Sequence, residues 1–394
     1  MIRGKAAYIE RLTKRMKFHS ASVGEKIDGS SPPSVFIGRY GYPKVFIGPL
    51  VPPTHGDTAI MDLPEQWIGS KDAADIINFR LQLVRGKEAV HASKGIESNR
   101  TVNLVREIAL AKDSVDVEVE FSKLPRGRFF NEDVQPFGPS APMREVSASA
   151  EKFEPNMEKA FYDTDLLSRD AVISLYEKGL AVSSLQKALS VGAFGLQKNR
   201  RLVPTRWSIT AVDDMLGKNL LQQVRFLPII DEYRVYETQN LSNRFVVILT
   251  PTMWQYETME AFFPQVIGDH LEIYGDHEGY EGKKGYALIG GCYYSAKLAI
   301  AEHLARERRQ AGAIVLRECY EGYIPLGVWN VRENMRDAMG KPHQNFETMK
   351  QAMDYAATRL RVPLDMWRRK SRLLANRYSA KTLSFFLDRM KASA

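Results

Sequence analysis

Two adjacent glycines, Gly290 and Gly291, mark a place where the backbone could bind a phosphate group. They lie between an apolar segment, Tyr286–Ile289, which is predicted to be a buried strand, and a helical pattern over residues 295–308. Backbone N–H groups at a helix N-terminus bind anions, and Lys297 would assist one turn further on. The pair matches neither the P-loop nor the GxGxxG pattern, and a tight turn without a ligand explains it as well.

Two Asp-His pairs, Asp269-His270 and Asp276-His277, are spaced seven residues apart. Their carboxylates and imidazoles could bind a divalent cation or transfer protons. The spacing matches no established zinc motif, and polar turns are the alternative interpretation. The segment Thr54-His55-Gly56-Asp57, in a proline-rich loop, allows the same two interpretations. With only two cysteines, Cys292 and Cys319, we expect no zinc site and reduced thiols.

Basic and aromatic residues alternate in two separate segments of the chain. Such residues could form a groove that binds a nucleotide or a nucleic acid by charge and by stacking. Basic loop residues on the surface of a neutral body are the alternative. The candidates are Arg39, Tyr40 and Lys44 in the first segment and Lys198, Arg200, Arg201, Arg206 and Trp207 in the second.

The positive charge of the chain is concentrated near its C-terminal end. The net charge is +8, and residues 359–394 contain ten basic and two acidic residues, a surplus equal to the whole net charge. The rest of the chain is therefore neutral, which argues against a general polyanion-binding protein. The basic end suits a phosphate backbone or an acidic partner, although a solvated helix face has the same composition. Its densest part consists of Arg368, Arg369, Lys370 and Arg372.

The elements that must position these residues alternate irregularly between strands and helices, which predicts an α+β fold with a mixed or antiparallel sheet core and surrounding helices. Val35–Gly38 and Val45–Gly48 repeat the letters VFIG around a Gly/Pro turn and predict a hairpin. The following prolines predict that residues 48–53 do not form a central strand. Residues 124–157 are predicted to be a long irregular loop or lid. An amphipathic helix is expected to begin at Asn345.

Composition excludes two classes of protein. A hydrophobic fraction of 44% is typical of a globular chain rather than a disordered one. The chain contains no apolar run near the ~18 residues that a membrane helix needs. Residues 1–5 do not resemble a signal peptide. We therefore expect a cytoplasmic protein, associated with the nucleoid if it binds DNA.

Four segments together resemble the archaeal Nre DNA repair proteins. They are residues 31–45 with Gly48-Pro49, residues 189–195 followed by 204–208, residues 286–294, and residues 327–333. The resemblance implies an archaeal protein that acts in DNA damage repair. It also implies a basic N-terminal helix and linker (1–28), a large N-terminal region (29–284), a smaller C-terminal region (285–376) and a clamp-binding tail (377–394). No cysteine precedes Cys292, so the zinc cluster of some family members is not expected here.

The resemblance further implies that a C-terminal PIP-like peptide binds the sliding clamp PCNA. The matching residues are Ala380, Lys381, Thr382, Leu383, Ser384, Phe385, Phe386 and Leu387. Leu383 takes the aliphatic position and Phe386 the first aromatic one, whereas Ala380 and Leu387 depart from the pattern. Together with Met390, the apolar residues also have the spacing of an amphipathic helix that packs on its own domain.

Three functions remain open from the sequence. The first is a DNA repair factor recruited to the clamp, with possible DNA contact by its basic segments. The second is an enzyme that processes a nucleotide or another phosphate ligand and is delivered by the clamp. The third is a non-catalytic adaptor that joins the clamp to another repair protein.

Overall fold

The computed structural model describes residues 18–127, 135–149, 152–264, 266 and 268–379. These residues form two compact units. The first unit consists of residues 18–221 and the later segment Ile324–Glu333, and the second consists of Gln222–Tyr323 and the residues from Asn334 onward. The predicted α+β class is confirmed, since helices accompany two mixed six-stranded sheets. The expected division after residue 284 concerns regions of sequence and stays a prediction.

The first unit is built on a sheet with the strand order β1-β5-β6-β4-β3-β2. Strands β4 and β6 run parallel and the other neighbours are antiparallel. Strand β5 alternates buried valines with acidic residues, as expected for a sheet with one covered face. The strands are β1 Lys26–Ser31, β2 Val35–Ile37, β3 Lys44–Val51, β4 Val84–His91, β5 Val115–Phe121 and β6 Ser140–Ser149.

Helices of the first unit begin at recognisable caps. The Asp72 carboxylate accepts from the backbone N–H of Asp75 and starts α1, and Asn99 caps α2 in the same way through Val102. The helices are α1 Ala73–Gln82, α2 Arg100–Leu110, α3 Pro155–Tyr162, α4 Ser168–Glu177, α5 Val182–Ser190 and α6 Thr205–Val224, with 3₁₀ turns at Ala59–Asp62, Pro64–Gln66 and Gln197–Asn199.

Two loop predictions in the first unit are wrong. Strand β3 continues through Pro49 to Val51 and lies between β2 and β4. The pairing of β3 with β4 is interrupted after Ile47 and resumes at Leu50. Pro49, which has no N–H group to donate, lies in this interruption. The predicted irregular segment 124–157 contains β6 and the start of α3. The hairpin of the VFIG repeat is confirmed, because β2 and β3 pair antiparallel.

The second unit has a sheet with the strand order β10-β9-β11-β8-β7-β12, in which β9 and β11 run parallel. One face packs on α7 Gly291–Glu307, where the Tyr256 hydroxyl donates to the carbonyl oxygen of Tyr293. The other face forms an apolar core with α9, α10 and α11. The strands are β7 Tyr233–Asn240, β8 Asn243–Thr250, β9 Tyr256–Phe262, β10 Glu272–Glu278, β11 Gly312–Cys319 and β12 Gln344–Phe346, and the remaining helices are α8 Trp329–Gly340, α9 Met349–Arg359, α10 Leu364–Lys370 and α11 Arg372–Ser379.

Two predictions in the second unit need correction. The segment Tyr286–Ile289 is not a buried strand, since the side chains of Tyr286 and Leu288 are 67% and 85% exposed. Asn345 lies in strand β12, and the helix begins at Met349 behind a Thr348 capping box. The predicted apolar stripe is nevertheless correct, because Met353, Ala356 and Leu360 lie in the core.

None of the helices within the described ranges is long and apolar enough to cross a membrane. Both cysteines are free thiols, with Cys319 buried and Cys292 half-buried.

Candidate nucleic-acid interface

The connection between β2 and β3 exposes two tyrosines. Gly41 adopts a left-handed φ of 83°, and the Lys44 N–H donates to its carbonyl oxygen at 2.9 Å, which closes the turn. Tyr40 and Tyr42 are 73% and 42% exposed on this turn. The hairpin therefore presents two tyrosine rings, each with a flat apolar face, at the surface of the first unit.

A third aromatic ring comes from a distant part of the sequence. Thr205, at the start of α6, accepts a hydrogen bond from the Ile37 N–H at 3.1 Å through its side-chain oxygen. This contact holds the beginning of α6 against the hairpin. As a result the Trp207 ring lies 5.1 Å from the Tyr42 ring, at an interplanar angle of 54°, and Trp207 remains 46% exposed.

Positive charge surrounds these rings. The Arg39 guanidinium lies 4.9 Å from the Tyr40 ring centroid and donates to the Tyr40 hydroxyl at 3.1 Å. Lys44 and Arg206 are exposed. Phe46, 47% exposed, shares a face of β3 with Lys44 because strand residues alternate. We call Arg39, Tyr40, Tyr42, Lys44, Phe46, Arg206 and Trp207 the hairpin surface.

The hairpin surface has the composition of a platform for unpaired bases. Rings of this kind stack on bases of any sequence, while lysine and arginine neutralise the phosphates that connect them. The structure thus brings two segments together, one with Arg39, Tyr40 and Lys44 and the other with Arg206 and Trp207. In the sequence these segments lie more than 160 residues apart.

Arg200 does not belong to this surface. Its guanidinium is buried and donates to the backbone oxygens of Gly195 and Asp163, each at 2.8 Å. It therefore fixes two loops of the first unit rather than a phosphate. Lys198 and Arg201 are exposed in the segment that precedes α6.

The Gly290-Gly291 turn lacks the cation that was expected to assist it. Lys297 is buried, and its ammonium donates to Glu278 Oε2 at 3.2 Å. The hydroxyl of Tyr293 donates to the same oxygen at 2.8 Å, and the Trp254 indole N–H donates to Oε1 at 3.0 Å. The lysine charge is thus compensated inside the unit, so the structure gives the prediction that Lys297 binds a phosphate no support, and it stays a prediction. Gly290 and Gly291 start α7 through a left-handed φ of 66° at Gly290.

The Asp-His segment serves as a structural anchor in the second unit. Asp276 accepts from Lys283 and from the His277 N–H through Oδ1, each at 2.8 Å, and from the Leu288 N–H through Oδ2 at 2.7 Å. Burial raises the pKa of Asp276, but these hydrogen bonds outweigh it and lower the pKa overall. Asp276 and His277 are neighbours in β10 and point to opposite faces of the strand, so these two side chains do not converge on one ion. The described part of the chain holds no group of three or more such side chains arranged for a metal.

The segment Thr54–Asp57 also forms a polar turn. The ring nitrogens of His55 lie 3.5 Å from Asp28 and from Asp116, with all three side chains more than half exposed. Asp57 accepts from the Ala59 N–H at 3.0 Å.

The basic residues near the C-terminal end lie on the outer side of two anchored helices. Trp367 is fully buried and holds α10 in the core, while Arg369, Lys370 and Arg372 are exposed and Arg368 is half-buried. The predicted clamp peptide, Ala380–Leu387, lies outside the described residues, as do residues 1–17 of the predicted basic N-terminal helix and linker (1–28).

Two buried glutamates were not identified from the sequence. Glu257 accepts from the Ser371 hydroxyl and from the N–H groups of Arg372 and Leu373, so it caps α11. Glu318 accepts from the N–H groups of Arg361 and Val362 before α10. Their signal was a carboxylate inside a predicted strand rich in apolar residues, which requires a partner once it is buried.

These features describe a two-unit α+β protein with an aromatic and basic surface on its first unit. Comparison with known proteins places the chain in a family: residues 3–267 match the family described as "Archaeal Nre, N-terminal" and residues 278–386 match "Archaeal Nre, C-terminal". The chain belongs to the archaeal Nre family, as the resemblance predicted.

Curated relatives support this membership over nearly the whole chain. The chain is 44% identical to DNA repair protein NreB of Archaeoglobus fulgidus, covering 90% of each chain. It is 34% identical to DNA repair protein NreA of the same organism, over 91% of this chain and 90% of the relative. It is 32% identical to DNA repair protein NreA of Haloferax volcanii, over 91% and 89%. No solved structure matches.

Proposed function

We propose that the protein is a DNA repair factor that binds single-stranded DNA through the hairpin surface and the sliding clamp PCNA through Ala380–Leu387. Its relatives are named DNA repair proteins, which supports the repair role. The observation that carries the DNA contact is the pair of exposed rings, Tyr42 and Trp207, beside exposed cations.

Single-stranded DNA is the form that this surface fits. Stacking needs bases whose faces are free, and a duplex offers its bases only by their edges in the grooves. The hairpin surface provides three to four ring faces and three cations, so it is suited to a short stretch of unpaired nucleotides. Damaged DNA under repair contains such stretches.

The test is a binding titration of the full chain with a fluorescent single-stranded oligonucleotide. Replacing both rings, Tyr42→Ala with Trp207→Ala, should weaken binding by at least roughly 5-fold, since stacking contributes about 1–3 kcal/mol for each base that loses its ring. Phe226→Ala is the control, because Phe226 is an exposed ring of the second unit and lies outside the hairpin surface. Equal affinity of the double variant and the wild type would refute the DNA contact.

The peptide has the chemistry for a clamp contact. If it forms one helical turn on the clamp, Leu383, Phe386 and Leu387 would face one side of that turn and fill an apolar pocket. Burial of three such side chains gives about 5–9 kcal/mol, from which ordering of the tail and loss of rigid-body freedom subtract several. We therefore expect a roughly micromolar contact, which simultaneous DNA binding would strengthen.

The second unit supports this role by the way it holds the root of the tail. Trp367 lies in the core of the unit, and Glu257 caps α11, which ends at Ser379 directly before the peptide. A peptide that follows a capped, anchored helix starts from a fixed point.

The clamp contact is tested by pull-down with the clamp from the same organism. A chain ending at Ser379 and the variant Phe386→Ala should lose the clamp while keeping the melting temperature of the wild type. Met390→Ala is the control, since Met390 belongs to the amphipathic-helix alternative and not to the clamp pattern. If Phe386→Ala and Met390→Ala both lower the melting temperature and leave clamp binding intact, the segment packs on its own domain instead.

The enzyme alternative has less support in the geometry. Lys297 and Asp276 hold partners inside the second unit, and both oxygens of Asp276 are occupied. The repair factor is therefore the function that the geometry supports best.

A further inference from the structure

Arg85 is a buried arginine of the first unit that has no oxygen acceptor. Its side chain is 7% exposed, and among the described residues no hydrogen bond or ion pair involves its guanidinium. The other buried arginines of the described residues each donate to a carboxylate or a backbone oxygen. These are Arg80 to Asp62, Arg106 to Glu97, Arg200 to Gly195, Arg317 to Glu260 and Arg332 to Asp213.

Two aromatic rings hold Arg85 in place. The guanidinium carbon lies 3.6 Å from the centroid of the Phe137 ring and 4.5 Å from that of Phe36. Ring faces stabilise the positive charge, but they leave the N–H groups along the edge of the guanidinium without acceptors. A planar fork of unused donors is the geometry that binds an oxyanion through two parallel hydrogen bonds.

The nearest buried carboxylate is already used. Asp62 accepts from Arg80 through Oδ1 and from Ser34 through Oδ2, and Lys187 lies 3.2 Å from Oδ2. Two cations therefore share this one carboxylate, and Arg85 adds a third positive charge nearby. Burial lowers the pKa of Arg85 and the neighbouring Arg80 lowers it further, whereas Asp62 raises it. The net shift is downward, as expected where one carboxylate serves three nearby cations.

A second cation lies on the same side of the strand. Residues of β4 alternate between its faces, so Arg85, Lys87 and Ala89 share one face. Along this face exposure increases from buried Arg85 through half-buried Lys87 to exposed Ala89. Burial, Arg85 and Lys123 lower the pKa of Lys87 in that order. A ligand can thus approach Arg85 along β4 and meet two positive charges.

We propose that Arg85 and Lys87 form a binding site for a doubly charged phosphate group. Among the described residues neither cation has a carboxylate of its own, which favours a dianion over a monoanion, and the flat donor edge of Arg85 suits an oxyanion that accepts a bidentate contact. The phosphate is either free inorganic phosphate or the terminal phosphate of a nucleotide strand. This site goes beyond the proposed function, which uses the hairpin surface.

The test follows the melting temperature of the full chain during titration with inorganic phosphate, compared with acetate at equal ionic strength. We expect a saturable increase with phosphate and none with acetate, because a ligand of the native state stabilises it. Arg85→Met, which keeps an apolar chain between the rings, should weaken phosphate binding at least tenfold, which corresponds to about 1.4 kcal/mol. Lys87→Met should weaken it less, and Lys94→Met, an exposed lysine of the same unit, should leave it unchanged.

The source of the phosphate is distinguished by comparing 5′-phosphorylated with 5′-hydroxyl oligonucleotides. Preference for the phosphorylated strand that disappears in Lys87→Met assigns a strand end, and equal binding with an intact response to inorganic phosphate assigns the free ion. Lys87→Met also decides the case if Arg85→Met does not fold. Absence of a saturable response in the wild type, or an undiminished response in Lys87→Met and in a folded Arg85→Met, overturns the proposal. Because Tyr42 and Trp207 are untouched, failure here leaves the DNA contact of the hairpin surface to its own test.

Discussion

Buried charged side chains in the second unit each have a specific partner. Glu278 binds a lysine, a tyrosine and a tryptophan, and Arg317 donates to Glu260 and Asn243. Removing a charge from water is costly unless hydrogen bonds within the protein replace those of the solvent. This cost explains why the buried charges of the second unit have partners. Against this background a buried cation without an acceptor, such as Arg85 in the first unit, is informative.

His303 provides a pH-dependent test at the scale of one residue. Its Nδ1 accepts from Arg306 at 3.2 Å, and its Nε2 lies 3.0 Å from the Tyr236 hydroxyl and 3.2 Å from Glu307. Burial lowers the pKa of His303 to about 4, and Arg306, Arg234 and His343 act in the same direction, whereas Glu307 raises the pKa.

Between the unfolded pKa of 6.5 and the folded pKa of about 4, the unfolded chain binds a proton that the folded chain does not. The free energy of unfolding should therefore fall as the pH decreases through this window, by about 2 kcal/mol at pH 5. Urea denaturation of the wild type and of His303→Gln at pH 7, 6 and 5 measures this contribution, which the variant should lack. Parallel pH dependences of the two proteins would contradict the assignment to His303.

At the scale of elements, the two copies of the VFIG repeat have different structural roles. A Cβ added to Gly48, in β3, would overlap the backbone carbonyl of Gly86 in the neighbouring strand. A Cβ on Gly38 would meet a side-chain atom of Phe36 at 3.2 Å, and that ring can move. The two copies are therefore alike in sequence but not in structure. Strand pairing requires a glycine at position 48 and does not require one at position 38.

Gly48→Ala should therefore destabilise the first unit by about 1–3 kcal/mol, because a backbone cannot move aside without breaking the sheet. Gly38→Ala, with the same chemical change, should cost less than about 1 kcal/mol. Thermal unfolding of the two variants beside the wild type checks the difference. An equal loss of stability in both variants would show that the close approach of β3 and β4 is not the reason why glycine is needed at position 48.

At the scale of the whole molecule, the first unit is discontinuous in sequence. The segment Ile324–Glu333 belongs to it although it follows the strands of the second unit. Its Trp329 ring meets the Trp67 ring edge-on at 4.8 Å, and Arg332 donates to Asp213 at 2.9 Å with both side chains fully buried. The motif at residues 327–333 that supported the family resemblance thus completes the core of the first unit.

A fragment of residues 1–221 should consequently fail to unfold cooperatively. It would leave Asp213 without its cation, a loss of about 3–5 kcal/mol for a buried pair, and would uncover Trp67. Near-ultraviolet circular dichroism during thermal unfolding checks this result, and addition of a peptide of residues 324–333 should restore the transition. A cooperative transition of the fragment alone, at the temperature of the full chain, would show that the segment is dispensable.

The sequence by itself determined the features that depend on neighbouring residues. The VFIG repeat around a Gly/Pro turn predicted the hairpin of β2 and β3, and helical spacing predicted the amphipathic helix α9 with its apolar stripe. It also contained the motifs by which the family is identified. Local steric and hydrogen-bonding preferences act over a few residues, so they can be read without knowledge of the fold.

Only the tertiary structure decided which charged side chains are buried and which partners they hold. From the sequence alone Arg200 and Lys297 were candidates equal to Lys44, and Arg85 was not a candidate at all, although burial and hydrogen-bond partners separate these residues. It could not place Trp207 beside Tyr42 or move residues 324–333 into the first unit. Whether a cation meets a carboxylate, a ring or solvent depends on segments far apart in the chain, and their meeting is set by the packing of the whole unit rather than by any local pattern.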